Sequence, residues 1–417
     1  MRLPSSLQAL SEPRFRLLWA GQATSAIGDG LMSIALAFAV LRIGGSATQL
    51  GLVLAAGVVS RVAFLLVGGV WADRLPRQLV MLTSDLVRAA QQLIVGALLI
   101  SGTARIWHLV VGAVVYGLAA AFFHPASTGL VPATVRPARL QQANALMGLS
   151  RSTTSVIGPL LSGVLVAVFG PGWVFIINGI TFIISAVTLA LLHVETAARG
   201  ARQSFLEDLA LGWHQLAIRP WYWLNLCAHA LWNFAIASLY VLGPIVAARQ
   251  LGGPSAWGLI SASLGVGSVV GGIITLRLMP SRPLVAANLA LTPAALMLVA
   301  LAVPLPLVVI GLSCVVAFAG LAFLNEVWEA TMQQLIPAAV LSRVTSYDWL
   351  ISLIAMPAGY AVAGPVAQHV GIPTTLVAGA IILAAPCVAI VFLPGIRRVR
   401  RTPQGTIVEG EPALAPS

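Results

Sequence analysis

Long apolar runs alternate with short polar links along almost the whole chain. A helix needs about 20 mostly apolar residues to cross the hydrocarbon core of a bilayer. Twelve stretches are long enough: roughly 15–41, 48–72, 79–101, 106–128, 142–168, 173–193, 222–247, 255–279, 284–303, 307–330, 347–369 and 372–394. One long link, 194–221, divides six stretches from six. The pattern predicts an all-α integral membrane protein of twelve transmembrane helices, in two six-helix halves over 1–193 and 222–395. Within the link, Ser204 and Glu207 have the spacing of a capping box, and Phe205, Leu209, Trp213 and Leu216 recur at helical spacing before Arg219-Pro220. That predicts an amphipathic helix on the cytoplasmic face. The segment 396–417 is rich in Pro, Gly and polar residues and is expected to be a disordered cytoplasmic tail.

Composition narrows the solvent. The chain has 417 residues, 59% hydrophobic and 8% charged. Soluble domains carry roughly 25% charged residues, so lipid must cover much of this surface. There is no Lys, and all 23 basic residues are Arg. A Walker-type phosphate loop and a Schiff base both need Lys, which argues against ATP hydrolysis and against retinal or pyridoxal chemistry. Cys227, Cys314 and Cys387 lie far apart in apolar runs and suggest neither a metal site nor a disulfide framework. No cofactor or metal is expected. The N-terminal segment before Phe15 lacks a signal-peptide core and cleavage site, so the first apolar stretch is expected to stay as a span.

The arginines orient the array. With both termini cytoplasmic, 17 arginines are cytoplasmic and only Arg42, Arg105 and Arg249 lie outside; Arg61, Arg88 and Arg151 fall within spans. This bias fits the positive-inside rule for a multi-pass protein of the cell membrane. It also explains the net charge of +11 through an anionic leaflet, with no need for nucleic acid.

The halves share phrases. Gly68-Gly69 with Arg74-Leu75 recurs as Gly271-Gly272 with Arg277-Leu278, Val131-Pro-Ala-Thr-Val135 as Ile336-Pro-Ala-Ala-Val340, and Gly158-Pro159 as Gly364-Pro365, at offsets of 203, 205 and 206. Repeated six-helix halves are a transporter architecture, with the binding site near the midplane where the repeats meet.

The loop Gly68-Gly-Val-Trp-Ala-Asp-Arg-Leu-Pro-Arg77, the 6+6 layout and Gly158-Pro-Leu-Leu-Ser-Gly163 together resemble the major facilitator superfamily. Leu18-Trp19 through Gly28-Asp29, His124-Pro125 through Val131-Pro132, Gln142-Ala-Asn-Ala145 and Gln334-Leu-Ile-Pro337 through Ser342-Arg343-Val344 are similar to its drug and siderophore exporter branch, the macrolide-efflux and enterobactin-exporter relatives. The resemblance implies a proton-coupled exporter of small amphipathic molecules that works by alternating access, without enzymatic activity and as a monomer. An importer of a sugar or metabolite remains an alternative. So, less strongly, do a non-transporting receptor or scaffold and an intramembrane enzyme, although no HExxH or GxSxG is present.

Residue roles follow from the same resemblance. Gly69, Asp73, Arg74 and Arg77 would form a conformational gate, with Asp73 at the N-terminus of a helix starting near Ser346-Tyr347, where the dipole favours an acid. Alternatively the loop only sets topology. Pro76 and Gln78 depart from the family pattern, and Leu276 stands where the second copy would carry its acid. Gly158, Pro159 and Gly163 match an antiporter-type motif, with Ser162 in place of a Gly, or serve helix packing. Gly265, Gly267, Gly271 and Gly272 read mainly as a packing face.

A charge at mid-membrane is costly and is kept only where paired or functional. Asp29 either carries protons on a cavity-lining helix or pairs permanently with Arg61. Asp85 and Arg88, at i and i+3, read as a structural pair. Asn233 matches Asp29 in the second half and is more simply an interhelical amide than a substrate contact. Asn325, Glu326 and Glu329 either bind substrate or protons near the inner mouth or pair with arginines such as Arg343. Arg151 either meets an anionic substrate or partners a carboxylate. His124 reads as a packed histidine. If Asp73 latches the loop, Asp73→Asn shifts the protein toward inward-facing conformations, and cysteine accessibility from the two faces measures that shift.

Overall fold

A computed structural model describes the backbone of residues 5–193 and 219–410, and the side chains within them except at 5–7, 65–74, 220, 338–340, 342–343, 346–347, 349–350 and 353. The helices are α1 (Pro13–Arg42), α2 (Ala47–Arg74), α3 (Arg77–Ile100), α4 (Ile106–Leu130), α5 (Leu140–Phe169), α6 (Pro171–Leu191), α7 (Pro220–Val246), α8 (Pro254–Thr275), α9 (Pro283–Leu291), α10 (Ala294–Ala302), α11 (Leu307–Leu335), α12 (Ala338–Val370), α13 (Ile372–Ile390) and the short α14 (Pro394–Arg398). Proline opens six of them, where its missing N–H costs nothing and its fixed φ suits the first turn. Among the described residues, ten segments are long and apolar enough to cross a membrane. The helices α3, of 24 residues, and α12, of 33, are long enough besides, so the architecture is consistent with twelve spans.

Two compact units divide the chain: Met1–Ala201 with Gly243–Ala262, and Arg202–Leu242 with Ser263–Ser417. In the first, α2 packs on α4, α3 on α4 and α6, and α1 on α5 and α6. In the second, α9 packs on α11, and α10 on α11 and α13. Outward faces carry large apolar side chains such as Ile94, Val308, Leu312 and Ile381, as lipid requires. A recurrent joint marks both units. Gly170 ends α5 at φ 84° and Gly371 ends α12 at φ 87°, left-handed positions that favour glycine, and each is followed directly by a new helix.

Three expectations change. Pro293 interrupts the span expected over 284–303 as a single helix, giving α9 and α10. The helix expected to start near Ser346-Tyr347 begins at Ala338, after Pro337, so those residues lie inside it. The tail expected to be disordered over 396–417 is folded through residue 409: β1 (Val399–Arg401) pairs antiparallel with β2 (Ile407–Glu409). Ile396, Val399 and Ile407 are buried in a cluster with Trp221, Tyr222 and Trp328, and Trp221 Nε1 donates to Glu409 Oε2 at 3.1 Å. Three scattered apolar residues in a polar segment give too weak a pattern to announce this. The amphipathic helix expected over 204–219 lies outside the described residues up to 218.

The helices of the first unit touch at small residues. A Cβ on Gly158 would stand 2.7 Å from Gly30 Cα, and one on Gly163 would stand 2.8 Å from Pro254 O and 3.1 Å from Gly258 Cα. A Cβ on Gly148, also in α5, would meet nothing within 4 Å. Gly158→Ala therefore costs about 1–3 kcal/mol by forcing α1 from α5. Gly148→Ala is neutral or stabilising by up to about 1 kcal/mol. Thermal unfolding midpoints of the purified variants check the contrast.

Candidate functional site

The intramembrane charges of the first unit converge on Arg88. The i,i+3 spacing on α3 puts Asp85 one turn below it, and Arg88 donates to Asp85. The side chain of Arg88 is 4% exposed and that of Asp85 fully buried. Phe123 of α4 and Phe182 of α6 stack on the guanidinium, with their ring centres 4.2 and 4.3 Å from Cζ. Asp29 of α1 completes the group: its Oδ2 lies 3.9 Å from Arg88 Nη1, and its Oδ1 accepts a hydrogen bond from the hydroxyl of Tyr116 on α4. Asp29 is the open member, its side chain 39% exposed. Four residues from four helices thus share one guanidinium.

This changes the alternative in which Asp29 pairs with Arg61. Arg88 supplies the ion pair, and Arg61 acts on Asp29 only through its longer-range field. Arg61 is exposed, and it lines a cavity of about 230 Å³ with Tyr116, Gln91 and Gln92. Arg151 is exposed on α5 and meets no carboxylate within 4.0 Å among the described residues. His124 sits in the combined field of Arg61, Arg88 and Arg151.

Ser162, fully buried in the Gly158–Gly163 segment, donates to Leu31 O of α1 at 2.6 Å. The residue that departs from the family pattern therefore binds α5 to the helix that carries Asp29. In the 68–77 loop, Gly69, Asp73 and Arg74 belong to the last turns of α2, and their side chains lie outside the described residues. Arg77 opens α3 and donates to Gly129 O at 2.7 Å. Gln78 Nε2 donates to Leu189 O and Leu192 O at 2.6 and 2.5 Å, capping the end of α6.

The second unit holds a larger cavity, of about 440 Å³. Asn233, Asn325 and Glu329 line it, whereas Glu326 is exposed and lies off its wall. The Asn233 amide donates to His229 O at 3.0 Å, one turn back on its own helix, and Gln333 donates to Glu329 at 3.3 Å. Arg343, named as a possible partner for these acids, lies outside the described side chains. Sequence reading missed Tyr116, Trp328 and Asp348. Asp348 could have been found by the rule that found Asp29, an acid inside an apolar run. Trp328 and Tyr116 gave no such signal, since aromatic residues are ordinary in spans.

Ten described segments long enough to cross a membrane, with charged side chains inside them, define a helical membrane protein whose buried charges are paired or functional. A family model described as Major Facilitator Superfamily matches residues 18–359. The chain is 27% identical over 391 residues to the multidrug efflux pump Tap of Mycolicibacterium fortuitum, covering 90% of this chain and 94% of Tap. It is 22% identical to macrolide efflux protein A of Streptococcus pyogenes, covering 93% and 97% of the two chains. Among solved structures it resembles the nucleoside transporter NupG, with a TM-score of 0.75, 13% identity and coverage of 91% and 98%. It also resembles a bacterial homologue of the iron transporter ferroportin in its inward-facing state, with a TM-score of 0.71, 15% identity and coverage of 90% and 98%. The chain belongs to the Major Facilitator Superfamily. It is a multi-pass transporter of small molecules, and not an enzyme.

The buried pair makes a stability prediction. Arg88→Met leaves Asp85 buried without its counter-charge and costs about 3–5 kcal/mol, whereas adding Asp85→Leu recovers most of that loss. Thermal unfolding of the purified single and double variants measures both.

Proposed function

We propose that the protein exports small amphipathic molecules of drug, macrolide or siderophore type across the cell membrane in exchange for protons, as a monomer with both termini cytoplasmic. The observation that carries the coupling is the setting of Asp29. This acid is inside the membrane and half-open, and it shares Arg88 with the buried Asp85. When Asp29 is ionised, Tyr116 and Arg88 hold it. When it takes a proton, Arg88 still has Asp85, so no buried charge is stranded. A carboxylate with both states accommodated can load and release a proton as the carrier changes conformation. Export as the direction is supported by the two efflux relatives. Likeness of fold to other transporters does not bear on direction, which leaves uptake of a sugar or metabolite as the alternative.

On this reading Gly158, Pro159 and Gly163 stiffen the packing of α5 beside the coupling acid, and Asp73, Arg74 and Arg77 latch one face of the carrier. The test is transport in proteoliposomes under an imposed pH gradient, with erythromycin and ethidium as probes. Wild type accumulates at least one probe against its gradient. Asp29→Asn loses accumulation by an order of magnitude or more but keeps gradient-free counterflow. Equal gradient dependence in the two proteins would remove Asp29 from the coupling step, and accumulation in the opposite sense would favour uptake.

A further inference from the structure

The cavity of the second unit has features that the export reading leaves unused. Its volume of about 440 Å³ lies in the range of small-molecule sites, roughly 300–1,000 Å³. Two carboxylates, Glu329 and Asp348, line it, and no arginine does among the described residues. Among the described residues their partners are neutral. Gln333 donates to Glu329, and Trp328 Nε1 donates to Asp348 Oδ1 at 3.1 Å with the Tyr222 hydroxyl alongside. Asp348, inside an apolar run and with no cationic side chain against it among the described residues, is an acid that a bound positive charge would stabilise.

Two buried groups on α7 also look for a partner. Trp232 is 4% exposed, lines the cavity, and its Nε1 has no hydrogen-bond partner among the described residues. One turn earlier His229 is 7% exposed, and its Nε2 meets no hydrogen-bond geometry although Asn288 lies near. An indole N–H can only donate, so Trp232 calls for an acceptor oxygen.

The aromatic wall is fixed from behind. Trp328 packs at ring-centre distances of 5.1 Å from Tyr222, 5.4 Å from His229 and 6.0 Å from Trp221. A carboxylate accepting its N–H pushes electron density into the indole, which strengthens its attraction for a cation. Leu291, Leu321 and Leu324 add an apolar wall that suits rings rather than a hydrated ion.

We infer that this cavity binds an organic cation, a ringed apolar body that carries one positive charge and an acceptor oxygen. Glu329 and Asp348 supply the counter-charge, Trp328 an electron-rich ring, and Trp232 the donor for the oxygen. The inference rests on the transport reading for what happens to the ligand but not for its binding. It puts ligand charge recognition in the second unit, on residues separate from Asp29 in the first.

Equilibrium binding to the purified full chain in nanodiscs, with no gradient, tests this apart from transport. Fluorescence anisotropy compares rhodamine 6G, a cationic xanthene ester, with fluorescein, an anion on the same ring frame, each corrected with empty nanodiscs. Rhodamine 6G is expected to bind saturably, with fluorescein weaker by roughly tenfold or more. Asp348→Asn keeps an oxygen for the Trp328 N–H, and Glu329→Gln alters an exposed position, so folding is preserved in at least one. Each is expected to weaken rhodamine 6G by roughly tenfold, and Trp328→Leu by roughly three- to thirtyfold. Trp232→Phe keeps the ring, loses the donor, and weakens binding severalfold. Equal binding of the two dyes, or affinities within twofold of wild type in both carboxamide variants, would overturn the proposal. Binding that depends on Asp348 in a protein that transports neither probe would leave this site standing and count against export alone.

Discussion

A bilayer offers no water to a stranded charge, and the first unit is organised around that fact. Arg88 is its centre. One guanidinium satisfies buried Asp85 on its own helix, reaches Asp29 on α1, and lies between Phe123 of α4 and Phe182 of α6. Four helices are thereby tied to one side chain at a depth where leaving any partner alone is expensive. The same arrangement gives Asp29 its freedom. Because Arg88 has a second acid, Asp29 can change charge without unbalancing the group.

Where lipid surrounds helices, the hydrophobic effect does little to hold them together, so close packing takes over. Gly30 against Gly158, and Gly163 against Gly258, let backbones approach to distances that a Cβ would forbid. Ser162 adds a hydrogen bond to Leu31 O at 2.6 Å. The contacts at Gly30 and Leu31 hold α5 against α1 within two residues of Asp29, and that at Gly258 holds α5 against α8. A segment that reads as a transport motif is therefore also a packing motif beside Asp29.

The charges of the two units differ in kind. The first sets Arg88 between two carboxylates, Asp29 and Asp85, with Arg61 acting on Asp29 at longer range. The second has Glu329 and Asp348 on a cavity lined with tryptophan and without arginine among the described residues. The two settings are therefore not copies of one site, even though both units end matching helices at Gly170 and Gly371.

Much of this was legible in the chain itself. The helical membrane fold and the family follow from runs of apolar residues and from a few Gly, Pro and Arg positions, because lipid imposes a length and a polarity that sequence must obey. The Asp85–Arg88 spacing was legible for the same reason, since a helix fixes neighbours at i+3. Partners across helices were not. Sequence offered Arg61 to Asp29 on equal depth, whereas the fold supplied Arg88 and Tyr116. Nor could spacing place Trp328 against Asp348, or bury Ile396, Val399 and Ile407 under Trp221. Depth in the membrane is a property of position along one helix. Which charge meets which depends on the rotation and packing of several helices at once, and only the tertiary structure decides it.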